Sequence, residues 1–174
     1  FEGRPDIGLH AYLDMISRKS GALIRCALNL GALIGSHDAA PVRAFRECGR
    51  SLGLMFQIRD DVLGIWGDEE STGKPVGADI VRKKNTLPVV YAMSRARGRD
   101  RDLLLSIYRQ DTVGEDEVSS VLEVMERVRA REYAQDLASE YRERALEPLS
   151  SVDLAPEARR DMEEIAEFLL VRQH

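Results

Sequence analysis

Apolar residues recur at intervals of three and four along nearly the whole chain, and no run alternates long enough to argue for a strand. The first pattern predicts a helix over roughly 8–34, with Leu9, Tyr12, Leu13 and Ile16 on one side. Leu23, Ala27, Leu30 and Ile34 continue it, and Gly21 should loosen its middle. Gly35-Ser36-His37-Asp38 ends this helix, and Pro41 opens the next, where a missing N–H costs little. The second helix carries Phe45, Cys48, Leu52, Met55 and Val62 at a period of about 3.5 residues and stops at Gly67. A loop of mixed charge follows, GDEESTGKPVGADIVRKKN, before Thr86 and Pro88 start the short apolar helix LPVVYAM. Further helices are expected over about 99–110, about 115–147 and, beginning at Pro156, about 156–172. No repeat, low-complexity tract or long linker divides the chain, which therefore reads as an all-α domain of long helices.

Within the second helix the stretch FQIRDDVLGIWG poses a chemical problem. Two adjacent aspartates repel each other, Asp is a poor helix former, and anions are disfavoured near a helix C-terminus. On a 3.6-residue helix, Gln57, Asp60, Asp61 and Gly64 share one face, while Met55, Ile58, Val62 and Ile65 point mostly elsewhere and can pack. The aspartates thus lie on a narrow polar strip of an otherwise apolar helix. Carboxylates in such surroundings need a compensating cation. Oxygen-only ligands suit a hard ion such as Mg²⁺, which commonly bridges one or two carboxylates to a phosphate.

The loop that follows supplies matching charge. Lys74 follows Gly73, and Arg82-Lys83-Lys84 forms a basic cluster ahead of Asn85-Thr86. Cations within short reach of a two-Asp helix are what a metal-bound diphosphate requires. Two other motifs fail on inspection. GDEESTGK has five residues between its glycines where a P-loop has four, Pro75 where Ser or Thr belongs, and a helix instead of a strand before it. DEESTGKPVGAD resembles a calcium loop but ends in Asp79 where a longer Glu must reach the ion, and it contains Pro75.

Composition narrows the class without changing this picture. The 174 residues are 44% apolar and 32% charged with a net charge of −5, which fits a soluble globular protein and leaves no nucleic-acid footprint. No run approaches the ~20 apolar residues of a membrane span. Cys26 and Cys48 both fall in apolar helical patterns and are expected to be buried, reduced thiols of a cytoplasmic protein. His10, His37 and His174 are scattered and expected at surface or cap positions. The opening FEGRPD has neither an initiator Met nor a signal-peptide plan, and reads as the middle of a longer protein.

FQ..DD, then GD...TGKP.G.D, then K.TLP, at these spacings, resembles the C-terminal half of a trans-isoprenyl diphosphate synthase of the polyprenyl synthetase family. FEGRPDIGLHAYLDMISRKSGALI and the tail IAEFLLVRQH extend the resemblance over most of the chain. It implies a portion of the isoprenoid-synthase helical barrel, with residues 1–174 as the C-terminal part of a single domain. It also implies a Mg²⁺-dependent homodimeric enzyme joining isopentenyl diphosphate to an allylic prenyl diphosphate. By the resemblance Asp60 and Asp61 form the second Asp-rich motif, with Asp60 foremost as direct ligand. Lys19 would contact the allylic diphosphate, with Ser20 standing in for the family's usual Thr. Lys74 and Lys84 would bind phosphate oxygens, Phe56 and Gln57 would face the prenyl groups, and Arg172 would lie near the isopentenyl site.

Ionisation of an allylic diphosphate calls for leaving-group stabilisation and exclusion of water, not for a nucleophilic side chain, so the lack of a Ser/His/Asp or Cys/His arrangement is expected. There are two departures from the family pattern. Gly64 stands where a third Asp is usual, so Gly64→Asp is expected to change turnover little. The first Asp-rich motif is absent and should lie upstream, so these residues alone should not catalyse. Two alternatives remain at this point: a class I terpene cyclase, against which the TGKP…RKKNTLP loop speaks, and a non-catalytic regulatory subunit of a heteromeric synthase, which Gly64 hints at.

Overall fold

The computed structural model describes residues 7–172. The FEGRPD stretch and His174 lie outside the described residues, as do the side chains of Ser71 and Thr72. Every regular element among the described residues is an α-helix. In chain order these are α1 (Leu9–Arg18), α2 (Ser20–Gly35), α3 (Ala39–Trp66), α4 (Glu69–Thr72), α5 (Ala78–Val81), α6 (Leu87–Arg95), α7 (Gly98–Arg109), α8 (Glu115–Arg127), α9 (Ala130–Ser150) and α10 (Pro156–Val171). They form two compact units, one holding residues 7–12 and 60–135, the other 13–59 and 136–172.

The first unit is built around α5 to α8, which pack on one another. Ile65, Ile80, Leu104, Val121, Val124 and Met125 are buried in one cluster with Val89, Ala92 and Ala130. The apolar LPVVYAM segment is at the centre, as its lack of charge requires: all but Tyr91 of its residues are buried. The predicted 115–147 helix is two helices, because Arg129 adopts a left-handed φ of 58° between α8 and α9. Such a conformation costs a non-glycine residue roughly 1–2 kcal/mol. The turn lets both Met125 and Ala130 reach full burial on either side of it, which offsets that cost. No glycine signals it in the sequence. The loop also contains two single helical turns, α4 and α5, that periodicity could not detect.

The second unit holds α2 against the N-terminal three-quarters of α3, with α9 and α10 contributing Tyr141, Ala145, Leu149, Met162 and Ala166 to its buried residues. The predicted 8–34 helix breaks at Lys19 (φ −89°, ψ −93°) and not at Gly21. Gly21 has a packing role. A Cβ added at Gly53 would meet Gly21 Cα at 2.4 Å, so the two helices cross backbone to backbone at this glycine pair. Gly21 is the one buried residue of α2. The predicted stripe is largely bare: Leu23 is 75% and Ile34 86% exposed, and Leu30 and Leu33 are exposed with them. Cys26 shares that helix and is exposed, contrary to expectation, because nothing among the described residues covers it. Cys48 lies on the covered side of α3, and burial pushes its thiol up to about 12.

The glycine crossing gives a sign that helix propensity alone would reverse. Ala replaces Gly in a helix interior with a gain of about 1 kcal/mol when nothing obstructs it. At Gly53 the added methyl has no space, so Gly53→Ala should instead lower stability by roughly 1–3 kcal/mol, read by urea denaturation. An unchanged or raised midpoint would show that the helices are not in contact there.

Candidate functional site

Asp60 and Asp61, adjacent in α3, have opposite fates. Asp61 is 1% exposed, and its Oδ2 accepts hydrogen bonds from the Tyr12 hydroxyl of α1 and from the Leu87 N–H at 2.7 Å. Leu87 opens α6, so its N–H is one of the donors that a helix start leaves unsatisfied, at the positive end of that helix. A buried carboxylate near the end of one helix is therefore held by the beginning of another and by a phenol. Burial, then the charge of Asp61, raises the Tyr12 pKa well above its ordinary value, so the phenol stays a donor. Asp60 stands on the strip's outer side, with its side chain 47% exposed.

Lys84 is the cation of this group. Its Nζ lies 2.9 Å from Asp79 Oδ2, 3.8 Å from Asp61 Oδ1 and 4.0 Å from Asp60 Oδ2. Partial burial by itself would lower the Lys84 pKa, but the hydrogen bond to Asp79 and the charges of Asp61, Asp79 and Asp60 outweigh it, and the net shift is upward. A cation with a raised folded pKa contributes fully below its unfolded pKa near 10.5 and loses its contribution only above that. The ammonium is thus charged throughout the neutral range.

Asp79, from α5, is buried beside Gly64. A Cβ at position 64 would meet Asp79 Oδ2 at 2.2 Å and Cγ at 2.6 Å. Gly64, which stands where a third carboxylate is usual in the family pattern, leaves clearance for the carboxylate that arrives from α5. A side chain at position 64 therefore bears first on packing and stability. Neither Asp79 nor Tyr12 figured among the predicted site residues. Asp79 closes the GD...TGKP.G.D motif, which carried its signal; Tyr12, 49 positions from its partner, had none.

Lys74 is exposed in the loop of the first unit. Lys19, Ser20, Phe56, Gln57 and Arg172 belong to the second unit. There the Ser20 hydroxyl donates to Gln57 Oε1 at 2.6 Å, and Lys19 is exposed at the helix break. The Arg172 guanidinium lies over the Phe56 ring at 4.2 Å, and Arg59 donates from Nε and Nη2 to the Arg172 carbonyl at 3.2 and 3.0 Å. The tail is thereby fastened to α3 beside Phe56.

A family model described as polyprenyl synthetase matches residues 1–125. The chain belongs to that family. Over 174 residues it is 41% identical to the short chain isoprenyl diphosphate synthase of Methanothermobacter thermautotrophicus, covering all of this chain and 53% of that protein. Two solved structures are similar in fold. The polyprenyl synthase from Caulobacter crescentus, complexed with calcium and isoprenyl diphosphate, matches with a TM-score of 0.90 and 29% identity over 99% of this chain and 52% of its own. The geranylgeranyl pyrophosphate synthase from Corynebacterium glutamicum, complexed with isoprenyl diphosphate and magnesium, matches with a TM-score of 0.86 and 27% identity over 95% of this chain and 47% of its own. The fold is accordingly the all-α isoprenoid synthase fold. The chain spans about half the length of these relatives, and the part it matches is their C-terminal half.

The donor set suits the divalent cation that these relatives were solved with. It offers carboxylate oxygens and no soft ligand, and an ammonium already sits where positive charge is needed. Among the described residues no group of three or more His, Cys, Asp or Glu side chains forms a ready cage. An ion here would lean on one or two carboxylates plus water and substrate oxygens, which is the habit of Mg²⁺.

Two substitutions check this geometry by thermal or urea denaturation. Tyr12→Phe removes one donor to a buried carboxylate and should cost about 1–3 kcal/mol. Gly64→Asp must push the Asp79 carboxylate from its place and should destabilise by a similar amount, about 1–3 kcal/mol. A Gly64→Asp protein as stable as the parent would refute the clearance role.

Proposed function

We propose that the protein carrying this chain is a Mg²⁺-dependent trans-prenyltransferase, which condenses isopentenyl diphosphate with an allylic prenyl diphosphate to give a longer polyprenyl diphosphate. The observation that carries this is the pairing of a half-exposed carboxylate, Asp60, with a lysine ammonium 4.0 Å away, in a chain of the polyprenyl synthetase family. A metal supplies charge neutralisation of the diphosphate as it leaves. Asp60 would hold that metal, with Asp61 contributing at most through Oδ1, since Oδ2 is engaged by Tyr12 and Leu87. Lys84 and Lys74 would take phosphate oxygens as point charges. On the family resemblance, Lys19 and Ser20 are assigned to the allylic diphosphate, Phe56 and Gln57 to the prenyl groups and Arg172 to the isopentenyl diphosphate.

We further propose that residues 1–174 are the C-terminal portion of one catalytic domain, inactive without an upstream Asp-rich motif, in a cytoplasmic homodimer. Among the described residues no helix is long and apolar enough to cross a membrane. The intact carboxylates and Lys84 favour a catalytic protein over a regulatory subunit.

Asp60→Ala in the full-length protein should lower turnover by about two orders of magnitude or more, measured by incorporation of labelled isopentenyl diphosphate. Near-normal turnover would sink the metal assignment. The exposed Leu23, Leu30, Leu33 and Ile34 also predict an assembly larger than these residues alone. Light scattering that found a stable, soluble monomer of residues 1–174 would contradict it.

A further inference from the structure

The charges around Lys84 are arranged for exchange. Three carboxylates, Asp60, Asp61 and Asp79, all lie within 4.0 Å of the Lys84 ammonium. Its contacts are unequal. Asp79 is within hydrogen-bonding distance, whereas Asp61 and Asp60 are about an ångström farther. The backbone beneath Lys84 is fixed: its N–H donates to the Asp79 carbonyl at 2.9 Å, and the neighbouring Lys83 Nζ donates to the Gln110 carbonyl at 2.5 Å. The Lys84 side chain is nonetheless 42% exposed, and so is about half of Asp60. A tethered lysine with a partly exposed end can move its charge by a few ångströms through rotamer changes alone.

We propose that Lys84 is an internal counter-cation that competes with a divalent metal for Asp60, so that metal binding stays weak until an anion draws the ammonium away. This rests on the reading of Asp60 as the metal ligand. A positive charge 4.0 Å from the ligand oxygen opposes the arrival of a second, doubly charged cation. A diphosphate offers the ammonium a stronger partner and removes that opposition. By linkage the metal and the diphosphate must then each strengthen the other's binding. Lys84 thereby acts as a positioning residue for the metal, besides any contact with substrate.

Three variants of the full-length protein, Lys84→Gln, Lys84→Met and Lys84→Arg, together with Asp60→Asn, test this through Mn²⁺ binding followed by electron paramagnetic resonance. Folding is checked by circular dichroism. Without diphosphate, Lys84→Gln and Lys84→Met should bind Mn²⁺ about tenfold more tightly than the parent at low ionic strength, and less so in high salt. Lys84→Arg, which keeps the charge, should stay within about threefold of the parent. Saturating inorganic diphosphate should tighten Mn²⁺ binding strongly in the parent and much less in Lys84→Gln. Lys84→Gln retains a donor for Asp79, so it keeps the test open if Lys84→Met fails to fold. Unchanged or weaker Mn²⁺ binding in Lys84→Gln, with binding still lost in Asp60→Asn, would overturn the competition alone. Mn²⁺ binding that ignores Asp60→Asn would overturn both the competition and the metal site on which it rests.

Discussion

The arrangement of the first unit depends on a carboxylate placed where electrostatics disfavours it. Asp61 is buried near the C-terminal end of α3, the end at which carbonyl dipoles already concentrate negative charge. Such a group persists only if its surroundings compensate the lost hydration. Here the compensation comes from three elements: Tyr12 of α1, the first N–H of α6, and Lys84 just ahead of it. Each must be in place for Asp61 to be tolerated, and so each is fixed by it. Burying one aspartate leaves its neighbour, Asp60, on the half-exposed side of the same helix. Adjacent identical residues thus acquire unlike surroundings, one held by the starts of other helices and the other open to solvent on one side.

The same constraint explains why the loop after α3 returns to this helix. Asp61 and Asp60 alone would repel each other, and one lysine brought between them reduces that repulsion. Lys84 is in turn held by Asp79, whose carboxylate occupies the space that any side chain at position 64 would claim. A glycine in α3 costs the helix roughly 1 kcal/mol in propensity. Against this stands a hydrogen bond between ions, which is stronger than its neutral counterpart, though Lys84's exposure screens it. Loop and helix are therefore complementary in both shape and charge, and neither can be altered alone.

The sequence made visible those features that follow from local period. Spacing on a 3.6-residue helix placed Met55, Ile58, Val62 and Ile65 in the core, where they are buried, and set the aspartates on a separate strip. Glycine was harder to read, because its effect depends on what approaches from elsewhere. Gly21 suggested looseness and instead lies at a close backbone approach of two helices, while Gly64, read as a departure from the family pattern, also leaves room for Asp79. The helix breaks at Lys19 and Arg129 carry no composition signal, since neither Lys nor Arg is a helix breaker. Tyr12 was placed correctly on an apolar face, yet its hydroxyl function depended on a partner too distant in sequence to pair by pattern.

The second unit poses the complementary problem, with too little burial where the first has too much charge. The α2 helix approaches α3 backbone to backbone, at Gly21 beside Gly53 and at Arg25 beside Gly49, with the Ser20–Gln57 hydrogen bond near its start, and its leucines and Ile34 remain largely exposed. A 16-residue helix of this kind is marginal in water by itself, because most helical stability in proteins comes from packing an apolar face. The close glycine contact brings dispersion attraction between backbones, but little removal of apolar surface. Stabilisation of α2 must then come chiefly from whatever covers Leu23, Leu30, Leu33 and Ile34. The chain spans about half the length of the relative it matches over its whole extent. The positions of Lys19 and Ser20, at the start of this helix, would depend on the same cover, because a helix free to shift could not hold a hydroxyl within 2.6 Å of Gln57.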